Sequence, residues 1–247
     1  MKIRYFASII AIILAWFFVS WLNIFSPILL PGPILVFLKL GVIIFSGNIL
    51  PDLGMTLFRA LAGLAISIII GVPLGLIFGF FNKAYSYFEF MIDFMRSIPA
   101  TALIPLFLLF FGIGNASKII IVVFVSSLII IVNTIYGVKS ANKTRIMVGK
   151  SFHLSRFGLF SKIILPEAAQ SISAGIRVAI SMSLVIVIVA EMFIGTRAGL
   201  GHRIIDAQYV YNTTEMYAVI ILVGIIGYFL NRMYSVIEAR KIHWAGK

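Results

Sequence analysis

The chain has 247 residues, 62% of them hydrophobic and only 11% charged, with a mean hydropathy of +1.12. A soluble domain carries about 25% charged residues, so this composition excludes a protein that covers its whole surface in water. With no cysteine, a disulfide framework and a thiolate metal site are excluded too. The net charge of +12 would suggest a nucleic-acid partner in a soluble protein, whereas here it marks loops on the cytoplasmic side of a membrane, and no nucleic acid is expected.

A helix needs roughly 20 apolar residues to cross the hydrocarbon core, and the sequence offers about six such runs. The first, Tyr5 to Phe25, follows Lys2 and Arg4. Its apolar stretch is longer than that of a signal peptide, and the bulky Phe18-Val19-Ser20-Trp21 offers no cleavage site, so it is expected to be a retained anchor. Residues 28–54 then form a connection on the periplasmic side. The second run is Met55 to Phe81. Within it Gly63, Ser67, Gly71, Gly75 and Gly79 recur every four residues, a pattern that lets membrane helices approach closely, and Pro73 is expected to kink the helix.

The third run, Phe88 to Phe111, is interrupted by Arg96 and Pro99, which predicts a slanted helix leading into a span, with Arg96 near the interface or against protein. Ile119 to Gly137, Ile172 to Ile194 and Tyr217 to Arg232 complete the set. With both termini inside, Lys and Arg fall overwhelmingly on the cytoplasmic side, and only Lys39, Lys118, Arg197 and Arg203 lie opposite. The expected fold class is an all-α, polytopic membrane protein of about six transmembrane helices.

A mid-chain segment from Lys139 to Gln170 separates two apolar spans. It mixes apolar Met147, Val148, Phe152, Leu154, Phe157 and Phe160 with Lys150, Ser151, Ser155, Arg156 and Lys162. This pattern suits short amphipathic helices, docked either on a protein partner or on lipid headgroups. Pro166 and Glu167 suit the first turn of the helix that follows.

At this segment the sequence resembles the permease subunits of type I ABC importers. Their cytoplasmic signature runs Glu-Ala-Ala, three residues, Gly, and then Phe, Ile, Leu and Pro at fixed offsets; Phe160, Ile163, Leu165 and Pro166 match that tail. Further matches keep their order along the chain and resemble the nitrate/sulfonate/taurine-type branch. They include Val72-Pro73-Leu74-Gly75, Arg96-Ser97-Ile98-Pro99 and Phe111-Gly112-Ile113-Gly114. Gly175-Ile176-Arg177, Ala190-Glu191-Met192, Gly199-Leu200-Gly201 and Trp244 continue the series. The chain departs from the signature where Met147, Val148 and Gly149 stand at Glu-Ala-Ala and His153 stands at Gly; the literal Glu167-Ala168-Ala169 lies after the proline and does not fill these positions.

The resemblance implies a transmembrane core over 55–238, an N-terminal helix over 1–27, a coupling loop over 139–170 and a cytoplasmic tail over 239–247. It implies a permease in the bacterial inner membrane that is not itself an enzyme. No cofactor is expected, ATP being bound by a separate ATPase dimer. Substrate would arrive on a periplasmic or lipid-anchored binding protein, and a second permease copy would complete the path within the lipid. Coupling to the ATPase would fall on Met147, Val148, Gly149, Phe152, His153, Leu154, Ser155, Phe160 and Pro166. His153 is expected to pack or to meet the partner rather than to bind a metal.

Candidates for the translocation path or its gate are Arg96, Pro99, Asn133, Ser181, Ser183 and Glu191. Glu191 could equally sit in a structural ion pair, and the serines could bond their own helix. The chain shows no phosphate-binding GxxxxGK[ST] loop, no HExxH pair among His153, His202 and His243, and no GxSxG elbow. A secondary transporter working without an ATPase is the alternative; it would be expected to show inverted repeats and midplane ionisable residues.

Overall fold

The computed structural model describes residues 2–241, with side chains from Ala7 onward. Trp244, His243 and Lys247 lie outside the described residues, as do the side chains of Lys2 and Arg4. Every regular element in the described range is helical. In chain order these are α1 (Lys2–Trp21), α2 (Pro33–Phe45), α3 (Leu50–Phe80), α4 (Asn82–Ser97), α5 (Ile104–Phe111) and α6 (Asn115–Lys139). They continue with α7 (Lys143–Ser151), α8 (Arg156–Leu159), α9 (Leu165–Phe193), α10 (Leu200–Tyr209) and α11 (Thr213–Lys241).

The chain is thus an all-α, multi-pass membrane protein. Among the described residues, four helices are long and apolar enough to span a bilayer: α3, α6, the run Arg156–Phe193 and α11. The pair Asn82–Ser97 and Ala100–Phe111, apolar enough when taken together and bent by 89° at the break around Pro99, is a broken span or a re-entrant loop. The break read from Arg96 and Pro99 is therefore present. The residue before a proline is pushed out of the α region, and Ile98 sits at ψ 123°. The first apolar run is a helix whose described apolar stretch is Ala7–Trp21, and residues 28–54 contain a second short apolar helix, α2.

The chain divides into two compact units, Met1–Thr56 with Thr196–Ile226, and Leu57–Gly195 with Gly227–Lys247. In the first, Val36, Leu40, Ile43, Ile49, Leu200, Ile204, Ala218 and Val219 are each buried. Arg203 on α10 is a polar hub, donating to Asp52 at 3.0 Å and pairing with Glu215 at 2.8 Å, while Lys39 reaches Glu215 at 3.1 Å. The Asp52 carboxylate also accepts the Gly199 N–H at 2.9 Å, which anchors the start of α10.

The second unit is built on the small-residue row of α3. A Cβ added at Gly63, Gly71, Gly75 or Gly79 would come within 2.6, 3.0, 2.5 and 2.7 Å of Val122, Ile130, Thr134 and Val138 respectively. Ser67 fits the same row and donates to the Gly63 and Val123 carbonyls at 2.7 and 3.3 Å. The row is a helix-packing seam between α3 and α6, as small residues without bulk allow backbone approach in a membrane. α3 runs through Pro73 as one α-helix. The other side of α6 packs on α9 in the same manner, with Gly137 against Ser171 and Gly175 against Asn133. Ser173 and Tyr234 share a hydrogen bond of 2.9 Å, and Arg177 pairs with Glu238, which tie α9 to the last turns of α11.

Candidate functional site

The segment between α6 and α9 folds into two short helices whose ends are specified locally. The Asn142 side chain caps α7 by accepting the Thr144 and Arg145 N–H groups at 2.8 and 3.2 Å. At the other end, the Leu154 N–H donates to the Gly149 carbonyl at 3.1 Å and the His153 N–H to the Lys150 carbonyl at 2.9 Å. These two bonds define a Schellman motif, which places one residue in the left-handed region. That residue is His153, at φ 57°. The position is one where glycine is favoured on backbone grounds alone, which is the residue type that the signature carries there.

Ser155 then caps α8, its hydroxyl accepting the Gly158 N–H at 3.1 Å. The chain continues through a π-helical turn, Phe160–Ile164, into α9, with Pro166 in the first turn. Phe160 meets Phe80 edge-on at 5.0 Å and packs beside Val138 and Ala168, so it anchors the segment from within. Gly149 is the close-approach point. A Cβ there would lie 2.5 Å from Ile163 Cδ1 and 2.6 Å from Leu159 Cδ2, which accounts for Gly where the signature has Ala.

Glu167 ties this segment to α9. Its carboxylate accepts the Asn142 N–H at 2.5 Å and a guanidinium N–H of Arg145 at 3.0 Å. On the outward side Met147, Val148, Phe152 and Phe157 are exposed, Phe152 by 79% and Phe157 by 77%. A groove of about 960 Å³ runs beside them, lined by Ala141, Val148, Phe152, Leu154, Ile163 and Glu167 among others. The expected coupling residues are therefore brought together in one tied-down segment with an apolar outer face.

The expected path residues are dispersed. Arg96 is half exposed and lies 3.4 Å from Asp93. Pro99 precedes the turn Ala100–Leu103. Asn133 donates to the Ile129 carbonyl of its own helix at 2.9 Å, and Ser183 to the Ile180 carbonyl at 2.9 Å. Ser181 accepts from Asn231 at 2.9 Å, linking α9 to α11. Glu191 is buried and pairs with Arg59 at 2.5 Å.

That pairing brings in residues the sequence did not single out. Arg59 also donates to the Asn115 side chain at 2.8 Å. Lys118, 1% exposed, donates to the Gly114 and Gly195 carbonyls at 3.2 and 3.4 Å, beside the pair. The available signal was one arginine and one glutamate, each isolated in an apolar run, because burying either alone is costly.

Residues 71–243 match the family model "Binding-protein-dependent transport system inner membrane component". The chain belongs to this family. Among its relatives, the putative aliphatic sulfonates transport permease SsuC of Escherichia coli is 30% identical over 95% of this chain and 89% of its own length. The taurine transport system permease TauC of Escherichia coli is 27% identical over 97% of this chain and 89% of its own. The fold is that of a chain of the MetNI methionine ABC transporter solved in inward-facing conformations, with a TM-score of 0.69, 19% identity, and coverage of 78% of this chain and 95% of that one. The chain is thus a permease subunit of the type I ABC importer class, and subunits of this family are not enzymes themselves.

Proposed function

We propose that this chain forms the translocation path of an importer for small sulfonate-, taurine- or nitrate-like solutes, delivered by a binding protein and driven by a separate ATPase dimer that binds the nucleotide. The kinship to sulfonate and taurine permeases supports the solute class. The coupling assignment rests on one observation: Met147, Val148, Phe152 and Phe157 are exposed on a segment held firmly by Glu167, Phe160 and two helix caps. An apolar face on a capped, tethered element transmits a partner's motion to α9 instead of absorbing it.

In this reading the two termini face the cytoplasm of a bacterial cell, as the Lys and Arg asymmetry favours. A second copy of the chain supplies the other half of the path, since a two-fold pair is the simplest closed assembly. ATP binding favours one arrangement of the ATPase dimer, and the difference in affinity between states drives the permease between outward and inward openings.

Replacing Phe152 with Asp tests the coupling. The expected result is a permease that inserts normally while its ATPase partner no longer copurifies in mild detergent, with uptake lost. Unchanged copurification and uptake at normal expression would remove the assignment.

A further inference from the structure

Helix α4 carries a line of polar side chains, Ser86, Glu89, Asp93, Arg96 and Ser97, at spacings that keep them on one side, and all five are exposed. The flank beside Arg96 is packed. Lys139 Nζ sits 3.2 Å from the centre of the Tyr85 ring, Phe88 lies 5.2 Å from Phe78, and Ile92 is buried with Ile131 and Ile135 of α6 and beside Leu74 of α3.

These contacts fix the depth of the stripe. Lys139 sits over Tyr85, and the Ile131 and Ile135 cluster that buries Ile92, with Tyr85 also against it, lies one to two turns earlier on α6. Helix α4 therefore climbs beside α6 in the opposite chain direction instead of lying flat at its end. At 1.5 Å per residue, Asp93 stands about 10 Å inward from the Lys139 end of a membrane-spanning helix. Charged groups at that depth face protein or a water-filled cavity and not lipid. Among the described residues all three charged side chains, Glu89, Asp93 and Arg96, stay exposed, with Asp93 3.4 Å from Arg96. The adjoining side of α4, with Tyr87, Phe90, Met91 and Phe94 exposed, is apolar and suits lipid or a protein neighbour.

We infer that the polar stripe of α4 lines the water-filled passage, and that its mixed charge makes the passage favour solutes with a positive centre, zwitterions included, over bare anions. This rests on the importer reading and narrows its solute class. Each chain contributes two carboxylates, Glu89 and Asp93, and one guanidinium, Arg96, at this depth; Lys139 lies over Tyr85 at the helix's cytoplasmic end in that reading. Low-dielectric walls focus such charges, so carboxylates in a narrow passage raise the local concentration of cationic groups and lower that of simple anions.

The chain has no cysteine, so single cysteines report without background. Ser86→Cys and Ser97→Cys change little volume and are compared with Phe90→Cys and Phe94→Cys, using the full chain expressed with its partners in native membranes. Cationic and anionic methanethiosulfonate reagents are the probes, each rate normalised to a free thiol. The stripe positions are expected to react while the aromatic positions stay protected. The cationic reagent should be favoured about tenfold, falling toward parity when Glu89→Gln and Asp93→Asn are added. Equal reaction on the two sides, or no charge preference at Ser86→Cys and Ser97→Cys, would overturn the inference. The labelling needs no ATP, so it is independent of whether an ATPase copurifies, which is where failure of the importer reading would appear.

Discussion

The Glu167 carboxylate, in the first turn of α9, accepts the backbone N–H of Asn142 at the start of α7 at a distance of 2.5 Å. One acidic side chain thereby joins the long span to the short helix that carries the exposed Met147 and Val148. Glu167→Ala should loosen this joint by about 1 kcal/mol, the scale of a charge-assisted hydrogen bond partly open to water. Hydrogen exchange across residues 143–151 should then quicken roughly fivefold. Glu167→Gln keeps a carbonyl acceptor and should fall between the two. Unchanged exchange in both variants would show that Glu167 does not hold α7.

His153 holds a left-handed conformation that costs a residue with a Cβ roughly 1 kcal/mol. His153→Gly should recover that energy and raise the melting temperature in detergent by about 2–4 °C. His153→Ala should give no such gain, because alanine keeps the Cβ. A rise of the same size in both variants would place the effect in the imidazole rather than the backbone.

The α3–α6 seam leaves no room for a side chain at Gly75, where a Cβ would fall 2.5 Å from Thr134 Cβ. Gly75→Val should force the helices apart and sharply reduce folded protein in the membrane. Gly41, in α2, has nothing within 4 Å of a built Cβ. There Gly→Ala should be neutral or stabilising by up to about 1 kcal/mol through helix propensity. Comparable yields of the two variants on size-exclusion chromatography would contradict the seam.

The buried Arg59–Glu191 pair predicts asymmetric damage. Removing one partner leaves a buried charge, at a cost of about 3–5 kcal/mol. Glu191→Ala should therefore lower thermal stability severely, the more so because Lys118 and Arg59 both lie nearby. Arg59→Met combined with Glu191→Met should be milder than either single change. Additive losses in a double-mutant cycle would refute the coupling.

Much of this was readable in the linear order of residues. The apolar runs, the break at Arg96 and Pro99, and the four-residue recurrence of small side chains each express a local rule: the length needed to cross a bilayer, the clash before proline, and the spacing of one helix face. The ends of the short helices between α6 and α9 were legible for the same reason, since Asn142, Ser155 and Pro166 act on their own neighbouring backbone. The path candidates were less so. Asn133 and Ser183 turned out to bond their own helices, and a polar side chain in an apolar run looks the same whether it faces a neighbour, its own backbone or water.

The sequence by itself determined the class of protein, because bilayer crossing depends on composition and length and needs no knowledge of which helices meet. Tertiary structure alone decided the pairings. Arg59 meets Glu191 across 132 positions of chain, and Gly75 meets Thr134 across helices. Only packing shows that Glu167 reaches back to α7, and that Ile92 is buried with Ile131 and Ile135 of α6. These relations rest on distance in space, where energies of ion pairing, close packing and hydration are set, and no local pattern along the chain encodes them.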